Sequence, residues 1–338
     1  MSAQILANVI RGETVESVHR GHLIAIDGDG SVHLSIGDPE TVTFLRSSAK
    51  PFQALPCITS GAADKFGLTE DEIALACASH SGEKMHTEIA GRMLAKSGLS
   101  ENDLRCGAHL PFYEKEAERI LRANENATQL HNNCSGKHAA MLAFAKHINA
   151  DLDRYEHLEH PVQQAILKTV SIFCEVPEEK IATGIDGCCV PNFAIPLSSM
   201  ARGFKNLVSP SDDFADEVVR SAAARIVSAM VKFPELIGGS ERLDTMLMQE
   251  AKGKIISKVG ADGVWLCGVL PSEKHPTGLG ITLKIEDGDD KRARPVVAVE
   301  ILRQLGILSS DDLPDLSPMP ISNRREEVVG RVETNISI

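Results

Sequence analysis

Val42-Thr43-Phe44-Leu45-Arg46-Ser47-Ser48-Ala49-Lys50-Pro51 is where the chain changes character. Upstream, residues 14–45 fall into short runs carrying Val15, Val18, Leu23, Ile24, Ile26, Val32, Leu34 and Ile36. Turns at Asp27-Gly28-Asp29-Gly30 and Gly37-Asp38-Pro39 separate them, which is the pattern of strands. Downstream, apolar residues recur at helical spacing. Thr69-Glu70-Asp71-Glu72 opens one helix with a cap and an acidic first turn. Helices are expected over His86–Ala95, Lys115–Arg122, Lys137–Ile148, His160–Phe173 and Asp213–Val231, each with one apolar face.

Strands return late. Lys254–Lys258 and Val264–Gly268 flank a turn at Gly260-Ala261-Asp262-Gly263, and Gly280–Lys284 follows. Arg294–Leu305 reads as a last helix and Val328–Val332 as a last strand. Strands at both ends with helices between predict one mainly antiparallel sheet drawn from both termini and packed with a helical layer, an α+β fold. The expected organisation is a single catalytic unit over 1–338. Its sheet-containing part spans approximately 1–60 and 235–338, its mainly helical part approximately 61–234.

With 338 residues the chain can bury a full core without disulfides. A formal charge of −12 argues against a nucleic-acid or anionic-membrane partner. The first residues lack the basic start and long apolar core of a signal peptide, and no apolar run is long enough for a bilayer span. A cytoplasmic location is therefore expected, with the eight cysteines as thiols or metal ligands. Cys57, Cys77, Cys106, Cys174 and Cys267 sit in apolar runs and read as core.

Four constellations can carry chemistry. Ser47 and Lys50 are i and i+3, which puts a hydroxyl and an amine one turn apart if a helix starts there. A neutral lysine can take a serine proton without histidine. The same spacing also suits a helix cap and a solvated lysine. A free lysine titrates near about 10.4, whereas a working base lies near about 7–8. The difference costs about 4 kcal/mol, so Lys50 must be buried or lie beside another ammonium.

The second constellation is Ser79-His80-Ser81-Gly82-Glu83, a hydroxyl-rich loop ahead of a helix that can aim backbone N–H groups at an anion or simply cap. The third is Ser257-Lys258-Val259-Gly260, a lysine on a strand before a glycine turn, like the Lys-Thr-Gly element of penicillin-recognising enzymes. The fourth joins His131-Asn132-Asn133-Cys134-Ser135-Gly136-Lys137-His138 to Asp186-Gly187-Cys188-Cys189. Cys134 and His138, at i and i+4, could bind zinc with Cys188 or Cys189, act as a cysteine–histidine nucleophile, or be inert. His109 and Tyr113 could line a pocket, His157 and His160 read as helix-surface residues, and Gly238–Thr245 reads as a tight loop.

Together these motifs resemble the Rhizobium etli-type (class 3, asparaginase II-type) L-asparaginases. The resemblance is carried by Arg46–Gln53, Ser79–Glu83, Asn133–His138, Asp186-Gly187-Cys188, Ser257–Gly260 and the opening Val15–Gly21, in the same order, over about residues 8 to 335. It implies a fold like the serine β-lactamases and glutaminases, a homodimer, and hydrolysis of L-asparagine to L-aspartate and ammonia. Two serine–lysine pairs follow by motif, Ser47 with Lys50 and Ser79 with Lys258. The resemblance also implies zinc held by Cys134, Lys137 and Cys188, where spacing alone favours His138 over Lys137. It leaves His138 beside the metal or the substrate and Asp186 orienting a metal-bound water or the substrate ammonium; Arg46, beside the nucleophile, can pair with the substrate α-carboxylate or form a structural ion pair. A glutaminase or a β-lactam-recognising serine hydrolase is the alternative. A non-catalytic zinc-stabilised binding protein and a cysteine hydrolase using Cys134 and His138 are the others.

Overall fold

A computed structural model describes residues 2–336. The chain forms two compact units. One holds the chain up to Ser48, Ile195–Ser209 and the chain from Met246 onward. The other holds Ala49–Ala194 and Pro210–Thr245.

The first unit is built on an antiparallel sheet that draws strands from both ends of the chain, as expected. Thr14–Asp27, its longest strand, pairs with Gln4–Arg11 on one side and Leu279–Ile285 on the other. Gln4–Arg11 in turn pairs with Val328–Thr334, and Leu279–Ile285 with Val264–Val269. Ile255–Val259 closes one end of the sheet and Met319–Ser322 the other. Every residue of Ile255–Val259 and Val264–Val269 is buried, so these strands are covered on both faces.

The helix Leu197–Val208 packs on these strands. It lies so close that a Cβ added at Gly280 would sit 1.8 Å from the Ala201 carbonyl oxygen. That approach is why a helix near the middle of the sequence belongs to the sheet, and why glycine stands at 280. Ala293–Gln304 packs on the sheet as well.

The second unit is mainly helical. Its centre is Ser135–His147, buried from Ser135 to Ala145. The sequence predicts one apolar face there; the small residues Gly136, Ala139, Ala140, Ala143 and Ala145 instead let neighbours approach all round. A Cβ at Gly136 would meet the Leu75 carbonyl oxygen at 2.4 Å. The central helix is packed by Lys50–Thr59, Glu70–Ala76 and Lys84–Lys96. Thr69 and Glu72 form the expected capping box. A short hairpin, Ala182–Ile185 with the strand starting at Pro191, carries Cys188 in its turn.

His160 departs from its expected place on a helix surface. It is buried, its Nδ1 accepts from the Val162 N–H at 3.1 Å, and its Nε2 faces the Asp151 carbonyl at 2.8 Å. It caps Pro161–Cys174. No helix among the described residues is long and apolar enough to cross a membrane.

Candidate active site

A single turn of 3₁₀ helix, Arg46–Ala49, feeds directly into the helix Lys50–Thr59. Pro51 sits in its first turn, where a missing N–H costs nothing. Ser47 therefore lies one turn ahead of Lys50 along a continuous segment. Lys50 is 1% exposed. Its Nζ donates to the Ala78 carbonyl at 2.7 Å, to Ser79 Oγ at 2.8 Å and to the Asn133 carbonyl at 3.0 Å. These three acceptors satisfy all three N–H bonds of an ammonium. Burial pulls Lys50 below its ordinary value, the Lys137 ammonium pulls the same way, and the thiols of Cys134 and Cys188 oppose them.

The pair can also hold the neutral amine. If the Ser79 hydroxyl turns its hydrogen toward Nζ, the amine still donates to Ala78 and Asn133 and accepts from Ser79. Lys50 can thus pass a proton to Ser79 Oγ as Ser79 gives up its own hydrogen to a third group, without displacement of a heavy atom. Ser79 is buried, and its N–H is anchored on the Ile237 carbonyl at 2.8 Å.

The rest of that loop is clamped. His80 Nδ1 accepts from the Gly82 N–H at 3.1 Å, and its Nε2 lies 3.0 Å from Ser135 Oγ, which donates onward to the Leu130 carbonyl. His86 accepts from the Glu83 N–H and faces the Glu235 carbonyl with Nε2. Both rings are thereby set as neutral Nε2–H tautomers, stacked with centroids 4.8 Å apart. Burial lowers both pKa values, that of His80 furthest, with His86 adding to the effect on His80. Glu83 takes Ser81 Oγ at 2.7 Å and the Ser240 N–H and hydroxyl at 2.8 Å, which gives the Gly238–Thr245 loop its function of tying down this turn.

Cys134 caps the central helix, and the lysine three residues on and the histidine four on both interact with Cys188 of the hairpin. Lys137 Nζ lies 3.0 Å from Cys188 Sγ. A hydrogen bond from Cys134, the Lys137 ammonium and His138 hold the Cys188 thiol far below the usual range, against its burial. The shared hydrogen and burial push Cys134 well up. Burial acts to lower Lys137, but Cys134, Cys188 and Asp186 outweigh it and raise it. His138 Nδ1 lies 2.7 Å from the Tyr155 hydroxyl; burial lowers its pKa, and a hydrogen bond with Cys188 opposes that.

Two sulfurs and one amine, all buried, converge here. They suit a soft divalent ion such as zinc if Lys137 gives up its proton. Among the described residues no group of three His, Cys, Asp or Glu side chains is placed to hold a metal. Asp186 lies in the hairpin turn, its carboxylate accepting from the Gly187 N–H at 2.8 Å.

The sheet unit carries Arg46, Ser47 and Lys258. Arg46 forms an ion pair with Asp262. Ser47 is half-exposed, and its side chain has no hydrogen bond among the described residues. Lys258 is fully buried on Ile255–Val259, with Nζ donating to the Val259 carbonyl at 3.0 Å. The neighbouring Ser257 hydroxyl accepts from Trp265 Nε1 at 2.8 Å.

Two roles escaped the sequence. Tyr155 orients His138 and lies in a region without regular periodicity. His80 sits inside a motif that reads equally well as a helix cap.

The L-asparaginase II family model matches residues 7–334. No curated protein matches. Among solved structures the chain is similar to a probable glutaminase from Bacillus subtilis, with 12% identity, 86% of this chain and 85% of that one covered, and a TM-score of 0.40. It is also similar to a point mutant of the class A β-lactamase of the last common ancestor of Gram-negative bacteria, with 15% identity, 86% and 92% coverage and a TM-score of 0.42. Likenesses this distant carry no weight for the chemistry.

Proposed function

The chain belongs to the L-asparaginase II family and is an amidohydrolase, and from that premise we propose that it hydrolyses L-asparagine to L-aspartate and ammonia with Ser47 as nucleophile, in the manner of the Rhizobium etli-type branch. The observation that carries this reading is the buried contact of Lys50 Nζ with Ser79 Oγ, at 2.8 Å. A desolvated lysine poised to exchange a proton with a serine has the properties of a general base and relay.

In the proposed sequence Lys50 takes the Ser47 hydroxyl proton as Ser47 Oγ forms a bond to the side-chain amide carbon. The proton then passes from Lys50 through the Ser79 hydroxyl to the amide nitrogen. The C–N bond breaks, ammonia leaves and an aspartyl ester on Ser47 remains. Water cleaves that ester by the same route in reverse, returning the proton to Ser47. Backbone N–H groups beside the serines are proposed to stabilise the oxyanion. Lys258 is proposed as a second proton carrier on the strength of its motif and its burial.

Cys134, Lys137 and Cys188 are the residues that would hold zinc, and bound zinc would supply a cationic anchor for the substrate. His138 and Asp186 are proposed to contact substrate beside that cluster, the Asp186 carboxylate accepting from the substrate's ammonium group. Arg46 would take the α-carboxylate, exchanging its partner Asp262. A homodimer and a cytoplasmic location complete the proposal.

The test is ammonia release from L-asparagine and L-glutamine, with a chromogenic cephalosporin in parallel. Turnover of asparagine that disappears in a folded Ser47→Ala variant is expected. Glutamine as the preferred substrate, or near-parental activity of the variant, would overturn the reading.

A further inference from the structure

Asn133 lies outside every role assigned so far, yet it touches both halves of the Lys50–Ser79 pair. Its backbone carbonyl accepts from Lys50 Nζ at 3.0 Å, and its side-chain Nδ2 lies 3.3 Å from Ser79 Oγ. We infer that Asn133 is a positioning residue that aims the Ser79 hydrogen. The inference rests on the proposed reaction, in which Ser79 delivers a proton to the leaving nitrogen.

The argument is a count of lone pairs. A serine oxygen has two acceptor sites and one hydrogen. Lys50 Nζ and Asn133 Nδ2 occupy both acceptor sites of Ser79 Oγ. While Lys50 is an ammonium, no contact among the described residues accepts the Ser79 hydrogen, although the side chain is buried. That hydrogen is left to point away from Lys50 and Asn133, available to a bound amide. Once Lys50 has lost a proton to the relay, the amide donor remains and keeps the oxygen oriented.

Asn133 is itself held from both sides. Its N–H donates to His109 Nε2 at 3.1 Å, and His109 Nδ1 donates to the Leu110 carbonyl at 2.7 Å. Phe112 stacks on the His109 ring with centroids 4.7 Å apart. The preceding Asn132 is pegged by its amide to the Cys106 and Gly107 carbonyls, and its Oδ1 accepts from the Cys134 N–H. The Asn133 amide oxygen lies 3.7 Å from the Cys134 sulfur, whose thiol can donate to it, and 3.3 Å from His109 Nε2, and with the oxygen on that side the nitrogen is toward Ser79.

The discriminating variant is Asn133→Asp, equal in shape but able only to accept. Its carboxylate would capture the Ser79 hydrogen. Asn133→Ala removes the donor without offering an acceptor and serves as the second variant. Initial rates on L-asparagine are measured for the parent, both variants and Ser79→Ala, with thermal melts of each. Both Asn133 variants are expected to stay folded and to lose roughly tenfold or more in kcat with KM changed by less than about threefold, the aspartate being the slower.

If Asn133 merely fills space, or if its amide faces the other way with oxygen toward Ser79, the isosteric aspartate will match the parent, and that result overturns the inference. Unfolding of both variants overturns it too, as does a loss confined to KM. A parent inactive on asparagine, or a fully active Ser79→Ala, defeats the proposed reaction first and the inference with it.

Discussion

Replacing Lys50 by methionine separates a catalytic lysine from a structural one. The new side chain is of similar length and loses only the polar head. The structure sets opposing effects on stability. Three acceptors, Ala78 O, Asn133 O and Ser79 Oγ, lose a charged donor, and each unpaired buried polar group costs about 1–3 kcal/mol. Against this, a thioether needs no desolvation of a charge, while burial already pulls Lys50 below its ordinary value.

The sign of that second effect follows from proton counting. With the folded value below the unfolded one, the native state binds fewer protons, so burial of Lys50 costs stability at every pH below the folded value. The cost fades as pH rises to the unfolded value near about 10.4. Parent stability relative to Lys50→Met should therefore improve at the alkaline end. At neutral pH the two effects oppose each other, and a melt of the variant reads their difference. Activity should behave differently. Loss of a general base is worth about 10²–10⁴ in rate, or roughly 3–5 kcal/mol at about 1.36 kcal/mol per tenfold. The assay is ammonia release at saturating L-asparagine beside a melt of the same sample. A folded variant within tenfold of parental kcat would refute the assignment of Lys50 as base.

Other outcomes follow from the same structure. His80 and His86 have lowered values because they are buried, so the native state resists protons that the unfolded chain accepts. Stability should be complete above about pH 6.5 and fall as pH drops below it, by up to about 1.4 kcal/mol per pH unit for each ring. His80→Gln should flatten that slope in denaturant titrations, and an unchanged slope would count against the histidine pair. Tyr155→Phe removes the hydroxyl that meets both His138 Nδ1 and the Arg105 N–H; it should cost about 1–3 kcal/mol in chemical denaturation, and a neutral effect would mean these bonds are not made. If zinc binds at Cys134, Lys137 and Cys188, a chelator should lower the melting temperature of the parent and leave a Cys134→Ser/Cys188→Ser double variant unmoved, whereas equal shifts would place the metal elsewhere.

The sequence made the architecture legible where periodicity was strong. The hairpin 255–269, the strand 14–27 and the capping box at Thr69 all fall where alternation and turn residues place them. It was silent on Leu197–Val208, which packs on strands remote in sequence, and on Gln4–Arg11, which pairs with its neighbour Thr14–Asp27 and with the distant Val328–Thr334. The central helix misled for the opposite reason: alanines and Gly136 bury every side of it, so its pattern carries no face. In the site, Ser-x-x-Lys located Lys50, but no spacing rule could say that Ser79 would receive its amine. The spacing of Cys134 pointed to His138 at i+4. The helix begins at Ser135, two residues earlier than expected, and Lys137 at i+3 reaches Cys188 beside His138.

Rapid quenching of the enzyme during turnover of L-asparagine, followed by mass spectrometry of its peptides, tests the central claim most directly. The account predicts an aspartyl ester on the peptide containing Ser47, absent from Ser47→Ala and accumulating if ester hydrolysis is slowed. An adduct on Cys134 or on Ser79, with Ser47 unmodified, would contradict it.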